Sequence, residues 1–155
     1  MATTTQNFAK AEMLIRRPVA TVFEAFVDPA ITTQIWFTRS SGRLETGKTI
    51  EWVWEMYNHT VPVKVIDIET NRKIVIEWGN YEEQTTVTWT FTAIDKASTF
   101  VSIINSGFKG ATDQLIAQVR DSTEGFTLVL ANLKALLEHG IRLNLVGDRF
   151  PKEMQ

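Results

Sequence analysis

Ile50-Glu51-Trp52-Val53-Trp54-Glu55-Met56-Tyr57 is the stretch on which the fold turns. Side chains alternate between the faces of a strand, so Ile50, Trp52, Trp54 and Met56 share one face. Glu51, Val53, Glu55 and Tyr57 take the other. Two indoles and a thioether in a row cover a wide area with few polar atoms. Such a face serves a filled core or an apolar pocket. The rest of the chain reads as a sheet wrapped around one long helix, and there the face is expected to line a pocket.

Upstream, a first strand is expected from about Asn7 to Ile15. Pro18 fits a first helical turn, where its missing N–H costs nothing. Val19, Val22, Phe23 and Phe26 recur at helical spacing, predicting a helix from Pro18 to about Val27. Asp28-Pro29 repeats the start signal and predicts a second short helix to about Ile35. Ser41-Gly42 and Thr46-Gly47 read as turns.

Downstream, strands are expected from about His59 to Glu69, through Ile74, Ile76 and Trp78, from Thr85 to Ala93, and from about Thr99 to Ser106. The first carries Val61, Val63 and Val65 on one face and then changes phase at Ile66 and Ile68, which predicts a bulge. The third is the most regular, with Val87, Trp89 and Phe91 opposed to Thr86, Thr88, Thr90 and Thr92. Short connections such as Asn71-Arg72 require antiparallel neighbours.

The last third changes period. Leu115, Ile116 and Val119 form a short helical stripe, and Asp121 precedes Glu124 at capping-box spacing. From there Phe126, Val129, Leu130, Leu133, Leu136 and Leu137 predict a helix over about Ser122 to His139, ended by Gly140 in a left-handed cap. This helix is expected to cover Val87, Trp89 and Phe91. The tail, Ile141 to Gln155, alternates at Ile141, Leu143 and Leu145. It is expected to add a short strand or to pack along the outside. The class is α+β, with six to seven antiparallel strands curving around a C-terminal helix and two short helices closing one end.

Composition bounds the function. A chain of 155 residues suffices for one domain, here residues 1–155 with a core over about 8–140, that buries about 68–70% of its unfolded surface. The formal charge of −2 comes with no basic block, so a nucleic-acid partner is not expected. The absence of cysteine removes disulfides and thiolate chemistry and fits a reducing compartment. The opening Met1-Ala2-Thr3-Thr4-Thr5-Gln6 has no basic-then-apolar leader, and no apolar run reaches the roughly 20 residues of a membrane span. A soluble, cytoplasmic domain is the expectation.

The order of elements resembles the helix-grip fold of the START-like superfamily, which includes polyketide cyclases. The local wording is closest to the branch of homologues of the activator of heat shock protein 90 ATPase. Ile15-Arg16-Arg17-Pro18-Val19-Ala20-Thr21-Val22-Phe23 resembles that branch's strand-to-helix entry, and Asp28-Pro29 with Trp36-Phe37 its second helix and aromatic exit. Gly125-Phe126 with Leu130, Leu133 and Leu136 resembles its Gly-Trp helix signature, with phenylalanine for tryptophan. The resemblance spans about residues 8 to 147. With the aromatic pattern it implies a stand-alone module holding a small hydrophobic or amphipathic ligand between sheet and helix. The expected contacts are Trp52, Trp54, Met56, Val63, Trp78, Trp89, Phe126 and Leu130, with Trp36 near the entrance.

The superfamily also implies a cofactor-independent cyclase, aromatase or hydrolase, and the branch name a co-chaperone. The latter is disfavoured because such activators pair this domain with another. A homodimer is compatible with all three. No metal or cofactor is expected: His59 and His139 lack ligand spacing, and His139 suits the negative end of a helix. No serine sits in a nucleophile elbow, and Ser106-Gly107-Phe108-Lys109-Gly110 reads as a turn rather than a phosphate loop. The titratable candidates Glu51, Glu55, Tyr57, His59 and Glu77 are all expected outside. A bulge would turn a glutamate inward and raise its pKa. Arg39, after Trp36-Phe37, is a candidate guard for a cavity mouth.

Overall fold

The computed structural model describes residues 7–80 and 82–154. Met1 to Gln6, read above for a leader, and Gln155 at the end of the tail lie outside the described residues. Seven strands form one antiparallel sheet in the order β1-β7-β6-β5-β4-β3-β2. They are β1 (Ala9–Ile15), β2 (Arg39–Ser40), β3 (Thr49–Trp54), β4 (His59–Glu69), β5 (Lys73–Trp78), β6 (Thr85–Asp95) and β7 (Ser98–Ser106). The curved sheet grips a helix of 28 residues, α3 (Thr112–His139), while α1 (Val19–Val27) and α2 (Pro29–Thr32) follow β1. The expected architecture stands, with Phe126 and Leu133 buried as a gripped helix requires.

The alternation read from sequence produces the two faces. Ile50, Trp52 and Trp54 of β3, Val61, Val63 and Val65 of β4, and Val87, Trp89 and Phe91 of β6 all point inward and are buried. The phase change in β4 is a register shift between Val65 and Asp67 against β5. Asp28 caps α2, its Oδ1 accepting from Ala30 N at 2.9 Å. Gly140, at φ 65°, ends α3 in the left-handed region, where a residue without Cβ pays no steric penalty.

Four expectations need correction, and a fifth is decided between its alternatives. The strand at Trp52-Trp54 ends at Trp54, because Glu55 to Asn58 form the connection of the β3–β4 hairpin. Glu55–Tyr57 is a single 3-10 turn, Asn58 sits at φ 49°, and Trp54 pairs with His59. The Glu55 N–H donates to Thr38 Oγ1 at 2.9 Å. Met56 and Tyr57 therefore leave the alternation. Second, Pro18 caps α1 in an extended conformation instead of opening it, and α2 stops at Thr32.

Third, α3 runs unbroken through Asp121, so the expected start at Ser122 falls mid-helix. Its first turn is fixed by Gln114 Oε1, which accepts from Ala111 N at 2.9 Å. Fourth, α3 does not cover this face of β6 by itself. Phe23 and Phe26 of α1 also pack on it, with ring centroids 5.3 and 6.0 Å from Phe91. Trp89 is shared, lying 5.8 Å from Phe26 and 6.3 Å from Phe126. Fifth, of the two alternatives for the tail, the strand is absent among the described residues and packing along the outside is what is found. The tail folds as α4 (Leu145–Arg149) and a 3-10 turn (Lys152–Met154), and no described helix is long and apolar enough to cross a membrane.

Candidate functional site

Trp36 is the centre of the aromatic interior. It leaves α2 through a turn in which its N–H donates to Thr32 O at 3.0 Å. Asn132 of α3 fixes that turn from above, donating from Nδ2 to Ile35 O at 2.8 Å. The Trp36 ring then meets Trp52 at 4.9 Å, Phe126 at 5.4 Å, Trp78 at 5.6 Å, Trp54 at 6.2 Å and Trp89 at 6.2 Å. The residue expected at an entrance is thus a partition within the interior, 9% exposed.

Two clefts open on either side of this partition, beneath α3. One, of 370 Å³, is almost wholly apolar and is bordered by Trp54, Val61, Trp78, Leu128 and Val146, with Tyr57 and His59 at its margin. The other, of 550 Å³, is mixed, with Trp78, Phe108 and Phe126 facing Thr85, Asn105 and Ser122. Both are bordered by Trp36, Trp78 and Gly125.

The mixed cleft has a polar network built into its floor. Trp78 Nε1 donates to Thr85 Oγ1 at 3.0 Å, and Asn105 Nδ2 donates to the same oxygen at 2.9 Å and to Thr86 O at 2.9 Å. Ser122 Oγ donates to Asn105 Oδ1 at 2.8 Å, tying α3 to β7. Asn105 is 2% exposed. A buried amide with all its groups engaged is stable where a partly satisfied one is not. By contrast, Trp89 Nε1 is buried with no acceptor among the described residues.

The expected contacts separate into three groups. Trp36, Trp54, Trp78 and Phe126 border a cleft. Trp52, Val63, Trp89 and Leu130 are buried in packed core and border neither; Trp52 stacks on Phe37 with centroids 4.4 Å apart. Met56, carried off by the 3-10 turn, faces the other side of the loop beside Asn132 and Asn144.

Tyr57, half-buried, departs from the strand pattern, whereas His59 is exposed as expected although it borders the apolar cleft. Tyr57 borders the apolar cleft, and its hydroxyl donates to Phe150 O at 2.7 Å. Burial raises its pKa above the ordinary 10. His59 lies beside the same cleft with its ring 5.9 Å from Trp54. The signal for this bend was Asn58, a residue that tolerates the left-handed region. Glu51, Glu55 and Arg39 are exposed and border neither cleft. Among the described residues no hydrogen bond joins any two of Glu51, Glu55, Tyr57, His59 and Glu77. Nor do three or more His, Asp or Glu side chains gather as a metal site would require.

The sequence profile described as Activator of Hsp90 ATPase homolog 1-like protein matches residues 16–138. The chain belongs to this family. Among solved structures, protein SSP2350 of Staphylococcus saprophyticus is 32% identical over 88% of this chain and 95% of its own, with a TM-score of 0.75. DynU16, from the dynemicin biosynthetic locus, is 20% identical with a TM-score of 0.77, over 89% of this chain and 49% of its own. The Aha1 dimer of Colwellia psychrerythraea is 18% identical with a TM-score of 0.74, over 86% of this chain and 97% of its own. The last two establish likeness of fold. No curated protein matches this family member.

Proposed function

We propose that this chain is a binding module for a small apolar or amphipathic molecule, held between the sheet and α3. The observation that carries the reading is the 370 Å³ apolar cleft, which three of the five tryptophans border. Apolar walls with a few placed polar groups are what small-molecule sites generally present.

Native mass spectrometry of the freshly purified protein tests this, with tryptophan fluorescence read during titration of hydrophobic compounds. A retained organic adduct or a saturable fluorescence change is expected. An adduct-free protein whose fluorescence responds to no apolar compound would overturn the reading. The solved dimer of the Colwellia relative is a reason to record the oligomeric state in the same spectra.

An enzymatic reading, of the cyclase or hydrolase kind, draws support from Tyr57 and His59 at the cleft margin. Acid–base chemistry there requires a titratable group that reaches the bound molecule. Turnover of a polyketide or ester that disappears in His59→Gln while binding persists would favour it over simple binding.

A further inference from the structure

Gly125 has no evident structural reason to be glycine. It lies inside α3, where glycine is the least favourable residue after proline. Close packing does not demand it, since a Cβ built on Gly125 meets no atom of another element within 4 Å. A positive φ does not demand it either, because Gly125 is absent from the glycines that have one. Yet Gly125 borders both clefts, and facing it in both are Trp36 and Trp78, whose rings lie 5.6 Å apart. An atom at the position of the missing side chain stands clear of these walls by more than contact distance.

The two clefts differ in chemistry along one line beneath α3. Toward Leu128 and Val146 the walls are apolar. Toward Gln118 and Ser122 the floor is the network of Thr85, Asn105 and Ser122. Thr85 Oγ1 accepts two hydrogen bonds there, and its own O–H donates to no acceptor among the described residues. The carboxylates of the mixed cleft, Glu83 and Asp121, lie at its exposed rim, and Asp121 is beside Arg120. The floor itself holds no charge to pair with an ion, so burying a charged head there would be costly.

Resting on the binding reading above, we infer that the two clefts are halves of one site joined over Gly125. The site takes an elongated amphipathic molecule. Its apolar end lies among Trp54, Val61 and Leu128, and its uncharged head, a hydroxyl or carbonyl, accepts from Thr85. Gly125 is the specificity-determining residue, because any side chain there grows into the passage.

The test is the dependence of affinity on chain length, read by tryptophan fluorescence on the full chain with 1-hexanol, 1-octanol and 1-decanol. Each methylene buried is worth about fourfold in affinity, so wild-type protein should bind in the order decanol, octanol, hexanol. Gly125→Leu should bind hexanol as wild type does and decanol at least tenfold more weakly, flattening the series. Gly125→Ala, whose methyl meets no neighbour, should flatten it partly and serves if the leucine variant does not fold. Thr85→Val should weaken all three alcohols by a common factor, with Thr85→Ser restoring them. An undiminished chain-length dependence in folded Gly125→Leu would overturn the joined site while leaving the binding reading intact. Decanoate or decylamine binding as tightly as decanol would overturn the uncharged head. If no member of the series binds wild-type protein, the binding reading itself fails.

Discussion

At the scale of single residues, the same side-chain type does different work according to whether a void adjoins it. Trp52 is 1% exposed and stacked on Phe37, so its removal leaves a new cavity inside a closed layer. Trp52→Ala should cost about 3–5 kcal/mol of unfolding free energy, the usual range for a buried aromatic. Trp54 already faces the 370 Å³ cleft on one side. Trp54→Ala therefore deletes fewer contacts and should cost less than Trp52→Ala, while changing ligand-induced fluorescence more. Urea denaturation of the two variants decides this, and equal costs would mean that the cleft wall is packed like the core. Gly125→Ala should move the other way, raising stability by about 1 kcal/mol through helix propensity. A gain in stability with a loss in binding of long amphiphiles would separate what this position does for the fold from what it does for the site.

Among the elements, α3 shows where sequence patterning reports the fold and where it reports the site. From Phe126 to Leu137 the apolar stripe is complete, and its buried members Phe126, Val129, Leu130 and Leu133 were legible without coordinates. Between Arg120 and Gly125 the stripe fails, which reads as a helix start. The structure shows instead one continuous helix whose gap in the stripe roofs the mixed cleft. Small and polar residues stand there, where Ser122 bonds Asn105 and an open cleft rather than packed core lies beneath. The strand at Trp54 was misread for a related reason. Period-two alternation carries no mark for its own end, and the capping hydroxyl of Thr38 is 17 residues away in sequence. The placement of Trp36 depends on a contact no local pattern carries, the hydrogen bond of Asn132 to Ile35 O, 97 residues apart.

The C-terminal end of α3 is clasped to the end of β1 by charge. Glu138 accepts from Arg16 N at 2.9 Å and from Lys134 Nζ at 2.6 Å, and Lys134 Nζ also donates to Leu14 O at 2.8 Å. Only 8% of the Glu138 side chain is exposed. Burial alone would raise its pKa, but these hydrogen bonds and the nearby charges of Lys134 and His139 outweigh it and hold the pKa below the ordinary 4.5. A carboxyl with a depressed folded pKa stabilises the fold above the unfolded value, and that stabilisation is lost as pH falls through the folded value. Glu138→Gln should therefore cost about 1–2 kcal/mol near neutral pH. The difference from wild type should close as the pH falls below 4.5. Denaturation curves across acidic pH would show a constant gap if the clasp contributed nothing through its charge.

For the molecule as a whole, residues 141–154 form a C-terminal strap that contributes to one wall of the apolar cleft. Val146 and Phe150 border the cleft from this segment. Val146 packs against the core, and polar contacts add to it. Leu145 N donates to Asn132 Oδ1 at 3.2 Å, Arg149 pairs with Glu124 at 2.9 Å, and the Tyr57 hydroxyl donates to Phe150 O at 2.7 Å. Much of its apolar surface faces solvent, with Ile141 at 50% and Met154 at 82% exposure. A segment with such sparse burial belongs to the low-stability end of a fold and opens locally without unfolding the sheet. Tyr57 ties that opening to pH. Its pKa is raised by burial, so the neutral phenol is the form the folded state prefers. The stabilisation is present below the unfolded value near 10 and is lost as pH rises through the folded value, when the phenolate can no longer donate to Phe150 O. Tyr57→Phe removes the same hydrogen bond at every pH, at a cost of about 1 kcal/mol. Hydrogen exchange near neutral pH should then quicken several-fold over residues 141–154 in the variant, while amides of β6 and β7 keep their wild-type rates. Tryptophan fluorescence, read through Trp54 and Trp78 at the cleft, should show a transition above pH 10 in wild type that Tyr57→Phe lacks. Uniform quickening across the sheet, or an alkaline transition that survives in Tyr57→Phe, would mean that the strap is part of the cooperative fold rather than a separately opening segment.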